Sequence, residues 1–228
     1  MGNCLISKLD ILVTGVGGQG VVLASDILGE LGVSLGYDVK KSDTLGMAQR
    51  GGSVVAHIRM GQAVASPLIP KGEADCLLSL EKLETVRWAD YIKTGGAVVY
   101  NDQTIPPLSV SRGEATYPDD DFIALTLSSY TRDFFAIPGE KLVTGLGNPK
   151  VLNILMLGAL SMFMPFSQDA WDKAIAPMVP EKAVEVNLEA FLVGRQEIRR
   201  QIEEAVAQDD YEAYKAMKAS HSHDDCGC

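Results

Sequence analysis

The sequence predicts an α/β protein in which a doubly wound, mostly parallel sheet is followed by a C-terminal helical extension. Three observations predict it. Short apolar runs rich in β-branched residues alternate with helix-period segments, the pattern of parallel strands joined by right-handed crossovers with helices on both faces. The first run, Ile11, Leu12 and Val13, breaks into Gly15, Gly17 and Gly20 before a helical stripe. Strand, glycine turn and helix thus come in the order of a Rossmann-like unit. The stretch 195–228 is instead charged and helix-prone, with little apolar patterning of its own.

In the opening unit each glycine has an expected role: Gly15 permits a tight turn, Gly17 lets backbone approach a ligand, and Gly20 lets helix pack on strand. Val21, Ala24, Ile27, Leu28 and Leu31 then fall on one helical face. A second strand is expected over 37–41. The acidic residue that grips a ribose in dinucleotide sites is best matched by Asp43, at the start of a polar loop carrying Gln49, Arg50, Gly51 and Gly52. An ordinary NAD site has no need of such a loop. Over 53–60, Val54, Ala56 and Ile58 alternate with Ser53, Val55, His57 and Arg59, which predicts a half-buried strand with a polar outer face. His57, the one histidine outside the C-terminal tail, is read as a structural residue.

Residues 67–72 form a turn-rich link to a core strand at 75–80 and a helix at 81–91 bearing Leu83, Val86 and Trp88. Gly95 and Gly96 are expected to stop that helix before a fifth strand at 97–101. Pro106, Pro107 and Pro118 punctuate an excursion read as a short hairpin or edge insertion. Asp119, Asp120 and Asp121 suit a helix N-terminus, and 134–138 reads as a last strand closed by Pro138. Asn148 as cap and Pro149 in the first turn start a helix over 150–164 that is apolar nearly all round. Its place is the core or a subunit interface, and Met156, Met162 and Met164 suit either. Further helices are expected at 171–178 and 180–194, the latter with Val184, Leu188, Phe191 and Leu192 on one stripe. The weak stripe of Ile198, Ile202 and Val206 reads as an extension that docks loosely or on a partner. The expected division is therefore 1–194 for the α/β domain and 195–228 for the extension and tail.

Composition narrows the function. A hydrophobic share of 46% with 22% charged residues is that of a folded globular chain. A net charge of -10 excludes the basic face that nucleic-acid binding needs. The longest apolar run, 151–166, is too short to span a bilayer and contains Asn153 and Pro165. The first eight residues lack a secretory pattern, and Ile6 stands where acylation favours Ser or Thr. With Cys4, Cys76, Cys226 and Cys228 scattered, a reducing cytoplasm is expected. The tail holds His221, His223, Cys226 and Cys228, ligand types that suit zinc or copper, and a plain unstructured terminus is the alternative reading.

The candidate ligand-binding residues are Gly15, Gly17, Gly18, Gln19 and Gly20 in the first turn, and Gln49, Arg50, Gly51 and Gly52 in the second loop. Backbone N–H groups of Gly17 to Gly20, with the first turn of the next helix, offer a seat for an anionic phosphate. Arg50 suits bidentate pairing with phosphate or carboxylate, or equally a bridge to a partner subunit. Gln19 and Gln49 suit hydrogen bonds to loop backbone.

Taken in order, the glycine turn, Ser42 with Asp43, the Gln49 to Gly52 loop, Gly147-Asn148-Pro149 and the segment from Pro180 to Asn187 resemble the gamma-type component of the 2-oxoacid:ferredoxin oxidoreductases. The likeness covers roughly 9–194 and is greatest to the beta subunit of the indolepyruvate branch. The resemblance implies a part of an enzyme that decarboxylates a 2-oxo acid oxidatively to an acyl-CoA and reduces ferredoxin. It also implies thiamine diphosphate with magnesium, and iron–sulfur clusters that take electrons one at a time. The sequence has no Cys-x-x-Cys-x-x-Cys run and no Gly-Asp-Gly thiamine motif, so both are expected on a larger partner subunit, with coenzyme A as co-substrate. The competing readings are a self-sufficient NAD- or FAD-dependent oxidoreductase and a non-catalytic nucleotide- or acyl-CoA-binding module.

Overall fold

The computed structural model describes residues 6–44 and 52–207. In chain order the elements are β1 (Lys8–Val16), α1 (Val21–Ser34), β2 (Asp38–Asp43), β3 (Ser53–Gly61), β4 (Ala74–Ser79), α2 (Lys82–Arg87), β5 (Ile92–Asn101), α3 (Leu108–Ser111) and α4 (Asp120–Ser128). They continue with β6 (Asp133–Ile137), α5 (Gly139–Gly145), α6 (Leu152–Leu160), α7 (Gln168–Ile175) and α8 (Val184–Ala207). The strands form one sheet in the order β2-β3-β1-β4-β5-β6. β3 is antiparallel to both its neighbours, β1 pairs parallel with β4, and β4, β5 and β6 continue in parallel. Five strands therefore point one way and β3 the other.

Both faces of this sheet are covered, which explains why the first strand is apolar without alternation. Ile11 and Val13 face a large core with Ala24, Ile27, Leu28 and Leu31 of α1, nearly all of α6, Trp171 of α7 and Phe191 of α8. Leu12 faces the opposite core, where Leu77, Val98 and Tyr100 meet Ile123 and Leu127 of α4. The predicted α1 stripe is buried at every position. α6 is buried from Asn153 to Leu160, so its all-round apolarity reflects a place between the sheet and α8. No helix among the described residues is long and apolar enough to cross a membrane.

The structure departs from expectation where tertiary context overrides local pattern. β3 has no polar outer face. Val55 and His57 are buried beneath the second layer, and Arg59 turns inward to chelate the fully buried Asp10 with bonds of 2.9 and 3.1 Å. Lys8 approaches the same carboxylate at 2.9 Å. His57 accepts the Ile69 N–H through Nδ1 and packs edge-on against Trp88 and Tyr91, a structural role. The helix after β4 ends at Arg87 rather than at the glycines, and Gly95 and Gly96 lie inside β5, where the register against β4 shifts. A Cβ on Gly96 would stand 2.9 Å from the Ala74 carbonyl, so this irregular pairing needs glycine. The proline-rich excursion holds the short helix α3 in place of a hairpin, and α5 occupies a stretch where no helix was expected. The boundary expected at Gly194 falls inside α8, which crosses it without a break and buries Ile198 completely. Leu192, placed on the buried stripe by periodicity, is 44% exposed.

Candidate functional site

A glycine turn closes the carboxyl end of β1 at the point where the sheet changes winding direction. The chain leaves β1 through α1 toward β2 on one side, and leaves β4 through α2 toward β5 on the other. In open α/β sheets this switch point is where ligands bind.

The turn itself belongs to Gly18 and Gly20, which hold positive φ values of 103° and 90°. Gly15 lies within β1 and makes no turn, correcting its expected role. A Cβ there would come within 2.9 Å of Val21 Cγ2 and 3.1 Å of Leu80 Cβ, so Gly15 serves the close approach of helix to strand. Gly20 caps α1 without any side-chain acceptor, and its own Cβ would stand 2.6 Å from the Asn153 side-chain nitrogen. Asn153 donates in turn to the Gly20 carbonyl at 3.4 Å. The polar residue inside the apolar helix α6 is therefore a strut under the turn.

Two of the four amides expected to face a ligand are engaged by the chain. Gly17 N–H donates to the Gly52 carbonyl at 2.9 Å, and Gln19 N–H to the Val16 carbonyl at 3.1 Å. Among the described residues the Gly18 and Gly20 amides have no such partner, and with the first turn of α1 they border an open cleft of about 400 Å³ between the glycine turn and Val54 of β3. Unpaired amides at a helix N-terminus attract anions. Gly52 contributes its carbonyl, which braces the turn.

The crevice between β1 and β4 is filled by the protein. Gln19 Oε1 accepts from Val16 N–H at 2.7 Å, and its Nε2 donates to the Leu80 carbonyl at 2.8 Å and to Gln103 Oε1 at 2.9 Å. Asn101 donates to the same two acceptors at 3.2 Å and takes the Gly139 N–H at 3.2 Å. Gln103 reaches on to Glu140. One amide network thus ties together the carboxyl ends of β1, β4, β5 and β6. Gln19 is a hub of this network, and Asn101 and Gln103 were not singled out by the sequence; a polar pair directly after an apolar strand is the signal that marks them.

The acid expected to grip a ribose is out of place. β3 lies between β1 and β2, so the end of β2 is two strand spacings, roughly 10 Å, from the end of β1. Asp43 is held there by Lys41 at 2.9 Å and lies 3.4 Å from the Ser25 hydroxyl. Burial disfavours the Lys41 charge, but hydrogen bonds to Asp26 and Asp43 outweigh it and raise its pKa. This geometry does not build the turn-and-acid clamp of a dinucleotide site.

On the far side of the turn sits a buried acidic pair. Glu81 caps α2, accepting from Glu84 N–H and Ile105 N–H at 3.0 Å each and from the Tyr117 hydroxyl. Burial first, then the bond to Glu81, push the Tyr117 hydroxyl well above the usual phenol range. Glu84 takes the Ser53 hydroxyl at 2.5 Å and Arg87 at 2.6 Å. Ser53 pairs with Val16, so this carboxylate buttresses the strand ends from behind. Both carboxylates of this cluster find their partners within the chain, and it reads as scaffold.

Gln49, Arg50 and Gly51 lie outside the described residues, as do His221, His223, Cys226 and Cys228. Among the described residues no group of three or more His, Cys, Asp or Glu is arranged to hold a metal ion.

Comparison with known proteins agrees with this architecture. The sequence pattern of the family described as pyruvate ferredoxin/flavodoxin oxidoreductase matches residues 10–197. The chain is 38% identical over 192 residues to the indolepyruvate oxidoreductase subunit IorB of Thermococcus kodakarensis, covering 83% of this chain and 95% of that one. The IorB subunit of Pyrococcus horikoshii gives the same identity and coverage. Among solved structures, the gamma subunit of a keto/oxoacid ferredoxin oxidoreductase from Geobacter sulfurreducens superposes with a TM-score of 0.63 at 23% identity, over 84% of this chain and 99% of that one.

Proposed function

This chain belongs to the pyruvate ferredoxin/flavodoxin oxidoreductase family and is a small subunit of a 2-oxoacid ferredoxin oxidoreductase, and from that premise we propose that it serves an indolepyruvate-type enzyme whose substrates are aryl 2-oxo acids. The observation that carries the reading is the 38% identity to IorB subunits over 95% of their length. In this proposal the complex converts the 2-oxo acid and coenzyme A to acyl-CoA and carbon dioxide while reducing ferredoxin, and it works in the cytoplasm.

The division of labour follows from the donor set. The four cysteines stand at 4, 76, 226 and 228, a spacing that suits no iron–sulfur cluster run, so the clusters are assigned to the larger subunit with thiamine diphosphate and magnesium. When bound there, thiamine supplies the carbanion stabilisation that decarboxylation needs. This chain contributes a rigid wall. The Gln19 network locks the strand ends, and the amides of Gly18 and Gly20 with the α1 N-terminus form a small anion seat that fits a phosphate of coenzyme A. On this reading the isolated chain is inactive.

The test is coexpression with the larger subunit, followed by a ferredoxin-reduction assay with coenzyme A. Indolepyruvate should give the highest kcat/KM, ahead of pyruvate and 2-oxoglutarate. Preference for 2-oxoglutarate would overturn the substrate, and a small chain that never copurifies would overturn the subunit role. Isothermal titration of coenzyme A against the complex, with and without Gly18→Val, checks the anion seat.

A further inference from the structure

Large apolar side chains left in solvent are scattered over this surface except in one region. Of the seven that are exposed among the described residues, Val33, Leu68 and Leu192 stand on separate elements, whereas Leu108, Phe122, Leu125 and Tyr130 fall within 108–130. α4 is two-sided: Ile123 and Leu127 are buried against the sheet, while Phe122 and Leu125, three residues apart, remain 54% and 70% exposed. Residues at this spacing share one strip of the helix surface.

Acidic residues border that strip at its N-terminal end, where Asp119, Asp120 and Asp121 are all exposed. Among the exposed residues of 101–140 there are six acids (Asp102, Glu114, Asp119, Asp120, Asp121, Glu140) against two bases (Arg112, Arg132), a balance of -4. Lys82, anchored at the start of α2, bridges Asp102 at 2.5 Å and Asp120 at 2.7 Å. That bridge sets the N-terminus of α4 beside the Leu80 and Glu81 turn, at the same end of the sheet as the glycine turn.

We propose that the outer face of α4, centred on Phe122 and Leu125, docks the larger subunit of the oxidoreductase, which meets it with an apolar hollow ringed by lysine and arginine. The inference rests on the subunit role proposed above. A second copy of this chain is the poorer occupant, because it would bring the same excess of acidic residues to both sides and such like-charge juxtaposition is costly. An apolar centre within a charged rim is the usual build of a specific interface, with the centre carrying affinity and the rim carrying selectivity and association rate.

The experiment coexpresses the full chain with the larger subunit and measures complex affinity and salt dependence. Phe122→Asp with Leu125→Asp should weaken the complex by about tenfold or more, as loss of a central apolar anchor does. Asp121→Lys should weaken it at low salt and have little effect at high salt, since only the rim is changed. Leu192→Asp, on α8, should leave it intact. Melting curves of the separate variants show whether each is folded; if the double variant is not, Asp121→Lys carries the test by itself. Wild-type affinity in the folded α4 variants overturns the inference while leaving the subunit role standing. A wild-type homodimer that the Phe122 variant dissolves overturns it in favour of a second copy. A wild-type chain that fails to hold the larger subunit overturns both.

Discussion

Gly194 of α8 lies so close to the carbonyl oxygen of Leu155 in α6 that a Cβ on it would stand 1.9 Å from that oxygen. The reciprocal contact places a Cβ on Gly158 2.0 Å from the carbonyl oxygen of Phe191. Two glycines, one per helix, thus let the backbones meet directly, and neither obstacle is a side chain that can swing away.

Gly194→Ala and Gly158→Ala are therefore each expected to destabilise the fold by about 2 kcal/mol or more, since the overpacking cost exceeds the helix-propensity gain from alanine. Gly29 is the control. It sits in α1, and a Cβ added to it would meet nothing within 4 Å, so Gly29→Ala should stabilise by up to ~1 kcal/mol. Urea denaturation of the three variants decides it; equal stabilities would refute the contact.

The amide network makes a second prediction. Gln19→Ala removes the acceptor for Val16 N–H and the donor to Gln103, and should cost about 1–3 kcal/mol. Gln103→Ala should cost less, because Gln19 then keeps its bonds to the Val16 N–H and the Leu80 carbonyl. A double-mutant cycle should give a coupling of about 0.5–1.5 kcal/mol. Additive losses would mean that the two side chains do not act together.

These contacts show where the sequence was legible. The positions of the strands, the α1 stripe and the Asn148-Pro149 start were readable because periodicity and capping chemistry act over a few neighbouring residues. The reversed direction of β3 was not, because alternation along a strand says nothing about its polarity or its neighbours. The expected helix ended at 194, and only the partner helix reveals that the chain runs on through Gly194, where the close crossing requires glycine. Likewise Gly15, Gly17 and Gly20 announced a phosphate turn by spacing, whereas the engagement of Gly17 and Gln19 depends on Gly52 and Gln103, far away in the chain.

The Asp10 and Arg59 pair sets a third expectation. Arg59→Leu leaves a fully buried carboxylate with Lys8 as its remaining cation, and the cost should be on the order of 3 kcal/mol. Asp10→Leu combined with Arg59→Met should recover most of it, since an apolar pair of similar volume avoids desolvating two charges. Chemical denaturation measures both. A double variant no more stable than Arg59→Leu would show that the pair also specifies strand pairing.

His57 makes stability depend on pH. Burial, and then the positive charge of Arg59, hold its imidazole below the ordinary value of 6.5. A histidine that resists protonation when folded leaves the unfolded chain binding more protons, so stability rises with pH across the gap. The contribution is complete above pH 6.5. It shrinks as pH falls below that value and levels off once the folded imidazole also protonates. His57→Phe gives up the acceptor for Ile69 N–H, a fixed loss of about 1 kcal/mol at all pH values. What it should abolish is the His57 part of the slope between pH 7.5 and 5. Denaturation midpoints of wild type and variant across that range, run in parallel, should converge as pH falls; parallel curves would place the pH dependence on the carboxylates instead.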